Sequence, residues 1–150
     1  MEEINIEIRV EEIKSLKLLA DRELKKIEGL SQPVVRVCGP LTCDGVEGYE
    51  KNANRLAQAE KILQSRGLTV WTFGESEEEI FEKNYNHENI FTYFHKPILE
   101  SGLIKEAYFL PRWNESNGAS LERNIAEEAC VVIKDFPEEW FQHSTTLTTI

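Results

Sequence analysis

Apolar residues along this chain follow two periodicities, about two and about 3.6 residues, which predict strands and helices respectively. The N-terminal pattern is ambiguous. Residues 4–10 (INIEIRV) alternate and predict a short strand, while a continuous helix from about Glu2 is the competing interpretation. Helical spacing then continues as far as Gly29. The break after Gly29 separates a predicted N-terminal extension, residues 1–32, from a domain that spans residues 33–150.

Beyond this break, the pattern predicts strands and helices in alternation. Strands are expected at 34–38, 68–73, 107–110 and 130–134, and helical segments at 49–66, 87–101 and from about Ala119. The acidic stretch at 75–83 is expected to be mostly solvated, and Pro97 is expected to interrupt the helix around it. Such alternation is typical of parallel strands joined by helical crossovers. The predicted fold class is therefore α/β, a small open parallel sheet of four to five strands flanked by helices, flavodoxin-like or Rossmann-like.

Composition and charge narrow the range of partners. The chain has 150 residues and 41% hydrophobic content, enough for one folded domain with a single core. Its formal net charge of −10 repels phosphate backbones and argues against binding of a nucleic acid polymer. Without a long apolar run or a signal peptide, we expect a soluble, cytoplasmic protein with no membrane partner. Cys38 and Cys130 are expected to be core thiols, and His87, His95 and His143 form no metal-binding pattern, so no metal is expected.

Three loops follow strands and are expected to meet at the carboxyl edge of the sheet, where open α/β sheets bind ligands. They span residues 39–48, 74–80 and 111–118. The first begins with GPLT and matches neither the P-loop nor the GxGxxG pattern. Its backbone N–H groups, near the start of the next helix, could cradle a phosphate. A plain strand-to-helix turn is the alternative.

The third loop carries side chains suited to a nucleotide. Arg112 could pair with a phosphate, Trp113 could stack on a nucleobase, and Ser116 lies at a helix N-terminus. Partial core packing is the alternative for Trp113. Helix N-capping is the alternative for Ser116.

A glutamate on an apolar helix face is the strongest candidate for a catalytic residue. In a helix from about Ala119, Glu122 shares a face with Ile125, Ala126 and Ala129. Desolvation would raise the pKa of Glu122 and the helix dipole would lower it. When ionised, Glu122 could attack an anomeric carbon and hold the sugar as a covalent ester, as retaining glycosidases do. The alternative is an acid that is favoured only by the helix dipole.

Three stretches give the chain a resemblance to a known family: VVRVCGP at 34–40, LPRW at 110–113 and SNGASLERNIAEEA at 116–129. Over residues 34–136 the chain resembles the nucleoside 2-deoxyribosyltransferase-like superfamily, in particular its nucleotide N-glycosidase branch. The resemblance implies cleavage or transfer at the N-glycosidic bond of a (deoxy)nucleoside 5'-monophosphate, without a cofactor. It also implies a homo-oligomer, a dimer or larger, because family members commonly complete the site with a neighbouring subunit.

The resemblance also implies roles for individual residues. Glu122 matches the nucleophile that forms the glycosyl ester. Ser116 matches a position that meets the 5'-phosphate in the nucleotide branch, and Gly118 matches a glycine that lets the backbone approach the sugar. Trp113 or Trp71 would stack on the base. The first-loop residues in the region that contacts phosphate and base are Gly39, Pro40, Leu41 and Thr42.

One residue expected from the resemblance is absent. Family enzymes usually carry an aspartate near the start of the helix before the third strand, and the matching position here is Ile98. Glu100 or His95 could supply the second acid or base if the helix is shifted. A non-catalytic protein that sequesters or senses a nucleotide is therefore the alternative to an enzyme. A third hypothesis is a subunit whose amphipathic 11–28 segment drives assembly.

Overall fold

The computed structural model describes residues 2–41 and 45–142, and their side chains within 6–41 and 48–142. The helices are α1 (Glu2–Glu28), α2 (Gly45–Ser65), α3 (Glu75–Lys83), α4 (His87–Ile90), α5 (Lys96–Glu100) and α6 (Asn117–Glu128). A π-helical turn, Phe91–His95, joins α4 to α5, and a 3-10 turn, Trp113–Glu115, precedes α6. The strands are β1 (Val34–Cys38), β2 (Thr69–Val70), β3 (Ile104–Phe109) and β4 (Val132–Asp135).

The four strands form one open, wholly parallel sheet in the order β2-β1-β3-β4, which confirms the predicted α/β class. β1 pairs with β3 along its length, from Val34 beside Ile104 to Cys38 beside Phe109. All β1 residues are buried, as expected for a central strand that is covered on both faces. The strand ends differ from the prediction, because β2 covers only two residues and β3 begins earlier than expected.

Helices cover both faces of the sheet. On one face, α2 packs the inward set predicted from its spacing against Val35 and Val37 of β1. These α2 residues are Leu56, Ala59, Ile62 and Leu63. The other face is covered by α1, the α4–α5 segment and α6, whose buried side chains join Val34 and Cys38 in a second cluster. Among them are Leu16, Ile27, Phe94, Ile98 and Ala126.

The N-terminal segment is one long helix, so the predicted strand at 4–10 was wrong and the competing helix was right. The side chains at 6–10 are exposed, so their alternation has no sheet to face. The Glu and Arg residues between the apolar ones are good helix formers, which lets the helix run through them. Further along, Leu16, Ala20 and Ile27 are buried in the same cluster as β1. The C-terminal half of α1 therefore belongs to the core.

The helical segment before β3 widens into a π turn directly before Pro97. Here the Lys96 N–H donates a hydrogen bond to the Phe91 carbonyl, five residues back. A proline inside a helix has no N–H to donate, and its ring crowds the carbonyl four residues earlier, which favours a distorted turn. The break expected at Pro97 is thus a local widening within continuous helical structure. Single π turns occur frequently at functional sites.

Two local predictions need correction. The acidic stretch at 75–83 forms α3, and three of its side chains are buried: Ser76, Glu77 and Ile80. The stretch is therefore part of the core as well as of the surface. Cys130 is exposed and has a φ of 63°, in the left-handed turn after α6, so it is not a core thiol. Cys38 is buried, as predicted.

Candidate functional site

Glu122 lies on α6 where this helix faces the carboxyl end of β1, and its side chain is half-buried. Because α6 begins at Asn117 rather than near Ala119, Glu122 falls in the second turn. The helix dipole acts mainly on the first turn, so it gives Glu122 little stabilisation. The apolar character of this face is confirmed by Ala126, which is buried one turn further on.

The surroundings of Glu122 favour its protonated form. Burial raises the pKa of Glu122 to about 7, and the charge of Glu77 adds to the rise. The positive charge of Arg36 and a hydrogen bond from the Cys38 thiol act in the opposite direction. Burial also raises the pKa of Cys38, so its thiol keeps the proton that it donates. A carboxyl group with a pKa near neutrality is able to gain or lose a proton under physiological conditions.

A buried ion pair between Arg36 and Glu77 lies next to Cys38 and Glu122. Arg36 and Cys38 are two positions apart on β1, so their side chains lie on the same face of the sheet. The Arg36 guanidinium forms a hydrogen-bonded ion pair with Glu77 of α3, and its Nη1 donates to the Trp71 carbonyl oxygen at 3.1 Å. Both charged side chains are nearly inaccessible to solvent. Removing either partner would leave an uncompensated charge in the core.

Sequence reasoning missed this ion pair, although one signal was present. β1 reads VVRVC, and an arginine inside an otherwise apolar central strand requires a buried anionic or carbonyl partner. The partner, Glu77, is 41 positions away in the acidic stretch that was expected to be solvated. Local periodicity carries no information about a pairing over that separation.

Trp71 belongs to the same network and is not a ligand-stacking residue. Its side chain is 4% exposed, and the Arg36 Cζ lies 3.9 Å from its ring centroid. The indole Nε1 donates to Glu23 Oε1 of α1 at 3.0 Å, and Ser76 Oγ donates to Glu23 Oε2 at 2.7 Å. The predicted stacking of Trp71 on a base is therefore corrected, because the ring is enclosed by protein. Through Glu23, Trp71 and Arg36, this network connects α1 with β1.

A cavity of ≈ 80 Å³ opens beside Glu122. Leucine, isoleucine and phenylalanine side chains form most of its wall, among them Leu41 of the first loop and Phe91 of the π turn. Its other polar side chains are Glu77, His87 and His95. The space is smaller than the roughly 300–1,000 Å³ of typical ligand pockets and suits a single ring.

The π turn brings His95 to this cavity. The rings of Phe91 and His95 are stacked, with centroids 5.0 Å apart. Burial, together with the positive charge of Arg36, lowers the pKa of His95 to about 3, so its imidazole is neutral at physiological pH. Glu100, the other candidate for the second acid or base, is exposed and forms an ion pair with Lys96 at 3.8 Å. Ile98 is fully buried in the core.

The first loop approaches the end of β3 closely at Gly39. A Cβ atom at this position would lie 2.7 Å from Leu110 Cδ1, so the packing requires glycine. Pro40 is buried and Leu41 lines the Glu122 cavity. Thr42, which was also predicted to contact the substrate, lies outside the described residues.

The predicted residues of the third loop lie around the start of α6. Ser116 is the N-cap, and its Oγ accepts a hydrogen bond from the Ala119 N–H at 3.2 Å, which is the capping alternative. Gly118 faces the π turn, since a Cβ atom there would be 3.5 Å from Phe91 Cζ. None of the predicted third-loop residues is among the described residues that line the Glu122 cavity.

Trp113 and Arg112 make their contacts outside the Glu122 cavity. Trp113 is half-buried against Phe109, and Arg123 lies over its ring with Cζ 4.2 Å from the centroid, which matches the core-packing alternative. Arg112 has a φ of 71° and forms an ion pair with Glu115 at 2.7 Å. It lines a separate, larger groove beside α2.

Neither a metal cluster nor a relative identifies the site. Within residues 2–41 and 45–142, no group of three or more His, Cys, Asp and Glu side chains is placed to hold a metal ion. In the same ranges, no helix combines the length and apolar character needed to cross a membrane. The chain matches no family model, no curated protein and no solved structure. Glu122 and its surroundings are therefore the features of the molecule that indicate a function.

Proposed function

We propose that this protein cleaves or transfers the N-glycosidic bond of a (deoxy)nucleoside 5'-monophosphate, with Glu122 as the nucleophile. One observation carries the proposal. A half-buried carboxyl group with a pKa of about 7 faces a small, mostly apolar cavity at the carboxyl edge of a parallel sheet. This edge is where open α/β sheets bind their ligands.

In the proposed reaction, the ionised Glu122 carboxylate attacks the anomeric carbon. A bond forms between a carboxylate oxygen and this carbon, and the bond from the carbon to the base nitrogen breaks. The base leaves with the electron pair of that bond and takes up a proton from solvent water. Water, or a second base, then attacks the same carbon and releases the carboxylate. Arg36 favours the ionised form of Glu122 through its charge, and the apolar wall strengthens that interaction.

The cavity also limits how a nucleotide would be bound. It holds one ring beside Glu122, next to the stacked Phe91 and His95. The neutral His95 can donate or accept one hydrogen bond with the base, and its low pKa makes it neither a ready proton donor nor a ready proton acceptor at neutral pH. The phosphate would then lie outside the cavity, among the loops at the carboxyl edge of the sheet.

The test is base release from a panel of nucleoside 5'-monophosphates and deoxynucleosides, followed by chromatography. Glu122→Gln keeps the size of the side chain and removes the nucleophile, so base release is expected to disappear. Glu128→Gln is the matched control, because Glu128 is an exposed acid on the same helix. Base release that survives in Glu122→Gln would exclude Glu122 as the nucleophile.

The absence of an aspartate at position 98 favours a second function. Ile98 is fully buried and His95 has a pKa of about 3, so no ready proton donor replaces the expected aspartate among the described residues lining the cavity. A protein of this kind could bind a nucleotide without turning it over. A thermal shift with one nucleotide and no base release from any compound would support this binding function.

A further inference from the structure

A second concave surface lies at the carboxyl edge of the sheet, outside the Glu122 cavity. It has a volume of ≈ 300 Å³ and lies between α2 and the chain that follows β3. Lys51 and Arg55 line it from α2, and Arg112 lines it from the loop after β3. We call this surface, defined by Lys51, Arg55 and Arg112, the basic groove.

The charge of the basic groove is opposite to that of the whole chain. The sequence carries 27 acidic and 17 basic residues, for a formal net charge of −10. Yet three cationic side chains line the groove, and no carboxylate is among the described residues that do so. Arg55 and Arg112 pair with Glu138 and Glu115, which lie outside the lining, so Lys51 contributes most of the positive charge that is not paired. A local cluster of cations can concentrate anions even against the field of the whole molecule.

The basic groove also lies where the sheet topology favours a ligand site. The strand order β2-β1-β3-β4 places β2 and β3 on opposite sides of β1. The loops that follow β1 and β3 therefore diverge, and this divergence forms the crevice in which open α/β sheets bind ligands. Pro40 follows β1 and Pro111 follows β3, and both line the groove.

Its cations are held in different ways. Arg55 stacks on Phe141, with Cζ 4.6 Å from the ring centroid, and its Nη2 lies 3.4 Å from Glu138 Oε1. The buried Nε of Arg55 has no hydrogen-bond partner among the described atoms, so the guanidinium is not saturated. Lys51 is exposed and forms no ion pair with any described residue. Packing thus holds Arg55 in place, while the ammonium group of Lys51 stays available to a ligand.

We propose that the basic groove is a phosphate-binding site, separate from the Glu122 cavity. Phosphate oxygens accept hydrogen bonds from guanidinium and ammonium groups, and a dianion gains from two or more cations at once. The phosphate has two possible sources, an inorganic anion or the phosphate end of a nucleotide. A nucleotide could extend from the Glu122 cavity to the groove, because the two sites are adjacent: Leu41 lines the cavity and its neighbour Pro40 lines the groove. The proposal does not depend on the glycosidic chemistry at Glu122.

The first experiment titrates the full chain with inorganic pyrophosphate by calorimetry at low ionic strength. Lys51→Glu is compared with Lys61→Glu, since both lysines are exposed on α2 and both changes alter the net charge equally. We expect Lys51→Glu to weaken pyrophosphate binding roughly tenfold and Lys61→Glu to change it less than about twofold. Equal weakening by both variants, or no binding by the unaltered protein, would overturn the proposal.

The second experiment separates the two sources of phosphate and the two proposals. A nucleoside 5'-monophosphate and the matching nucleoside are titrated into Glu122→Gln and into Glu122→Gln with Lys51→Glu. Weaker binding of the nucleotide alone in the double variant assigns the groove to the nucleotide's phosphate. Unchanged nucleotide binding with lost pyrophosphate binding assigns it to an inorganic anion. Glu122→Gln by itself is expected to keep the pyrophosphate affinity, whether or not Glu122 is a nucleophile.

Discussion

The Cys38 thiol, at the end of β1, acts on the Glu122 carboxyl group in the second turn of α6 and lowers its pKa. Arg36, two residues earlier on the same strand face, adds a buried positive charge that is itself paired with Glu77. One strand thus supplies a thiol and a cation that both lower the pKa of one carboxyl group. Burial outweighs both and leaves the pKa of Glu122 at about 7.

The first prediction concerns the pH dependence of base release. A nucleophilic carboxylate must be ionised, and half of Glu122 is ionised near pH 7. The rate under substrate-limiting conditions should therefore rise as the pH increases through about 7 and level off above it. Initial rates in buffers from pH 5 to 9, at constant ionic strength, would measure this. A rate that falls through the same range would make Glu122 a general acid instead.

The second prediction concerns stability. The pKa of Glu122 is raised from 4.5 to about 7 on folding, so the folded state binds the proton more tightly. The stabilisation is fully present below pH 4.5 and is lost as the pH rises through about 7, at about 1.4 kcal/mol per unit of pKa difference. Glu122→Gln stays neutral and should be increasingly more stable than the unaltered protein toward pH 8. Urea unfolding at pH 5 and pH 8 would measure the difference, and an equal difference at both values would contradict the raised pKa.

The third prediction concerns the buried ion pair. Arg36→Met leaves the Glu77 carboxylate without its partner in the core, which should cost about 3–5 kcal/mol of unfolding free energy. Arg36→Met with Glu77→Leu should recover much of this loss, because no unpaired charge remains. Arg9→Met, on the exposed part of α1, is the control and should change stability by less than about 0.5 kcal/mol.

The same variants report on Glu122 if they fold. Arg36 lowers the pKa of Glu122 and Glu77 raises it. Arg36→Met alone should therefore move the titration of Glu122, followed by NMR, to higher pH. An unchanged titration would show that Arg36 has no electrostatic influence on Glu122.

The fourth prediction concerns assembly. Ile6 and Ile8 at the start of α1 are 59% and 61% exposed, and the homo-oligomer that the resemblance implies is expected to cover them. Light scattering after size exclusion should give the mass of a dimer or larger, and Ile6→Lys with Ile8→Lys should reduce it. Val132→Lys, at an exposed apolar position on the edge strand β4, is the control. A monomeric mass for the unaltered protein would contradict the expectation.

Local pattern was sufficient for the parts of the fold that depend on neighbours in sequence. The five buried residues of β1 and the inward positions of α2 follow from runs and spacings of apolar residues. The position of Glu122 on an apolar face of α6 follows from the same spacing. The strand predicted at residues 4–10 was wrong because alternating apolar residues form a strand only where a sheet is available to pair with it.

The parts that could not be predicted depend on contacts between distant residues. The partner of Arg36 lies on α3, and the partner of the Trp71 indole lies on α1, 48 positions away. Counting residues pointed to Ile98, with Glu100 or His95 as alternatives, and only the fold shows that His95, at the end of the π turn, lies at the cavity. No propensity scale anticipates a π turn from one proline.

The most direct test of the central claim is a search for the glycosyl ester on Glu122. The protein is mixed with the nucleotide that gives the fastest base release, quenched in acid within milliseconds to seconds, and examined by intact mass and peptide mapping. The proposed mechanism predicts added mass equal to the sugar phosphate, located on the peptide that contains Glu122 and absent from Glu122→Gln. An adduct on another residue, or no base release from any nucleotide or nucleoside, would contradict it.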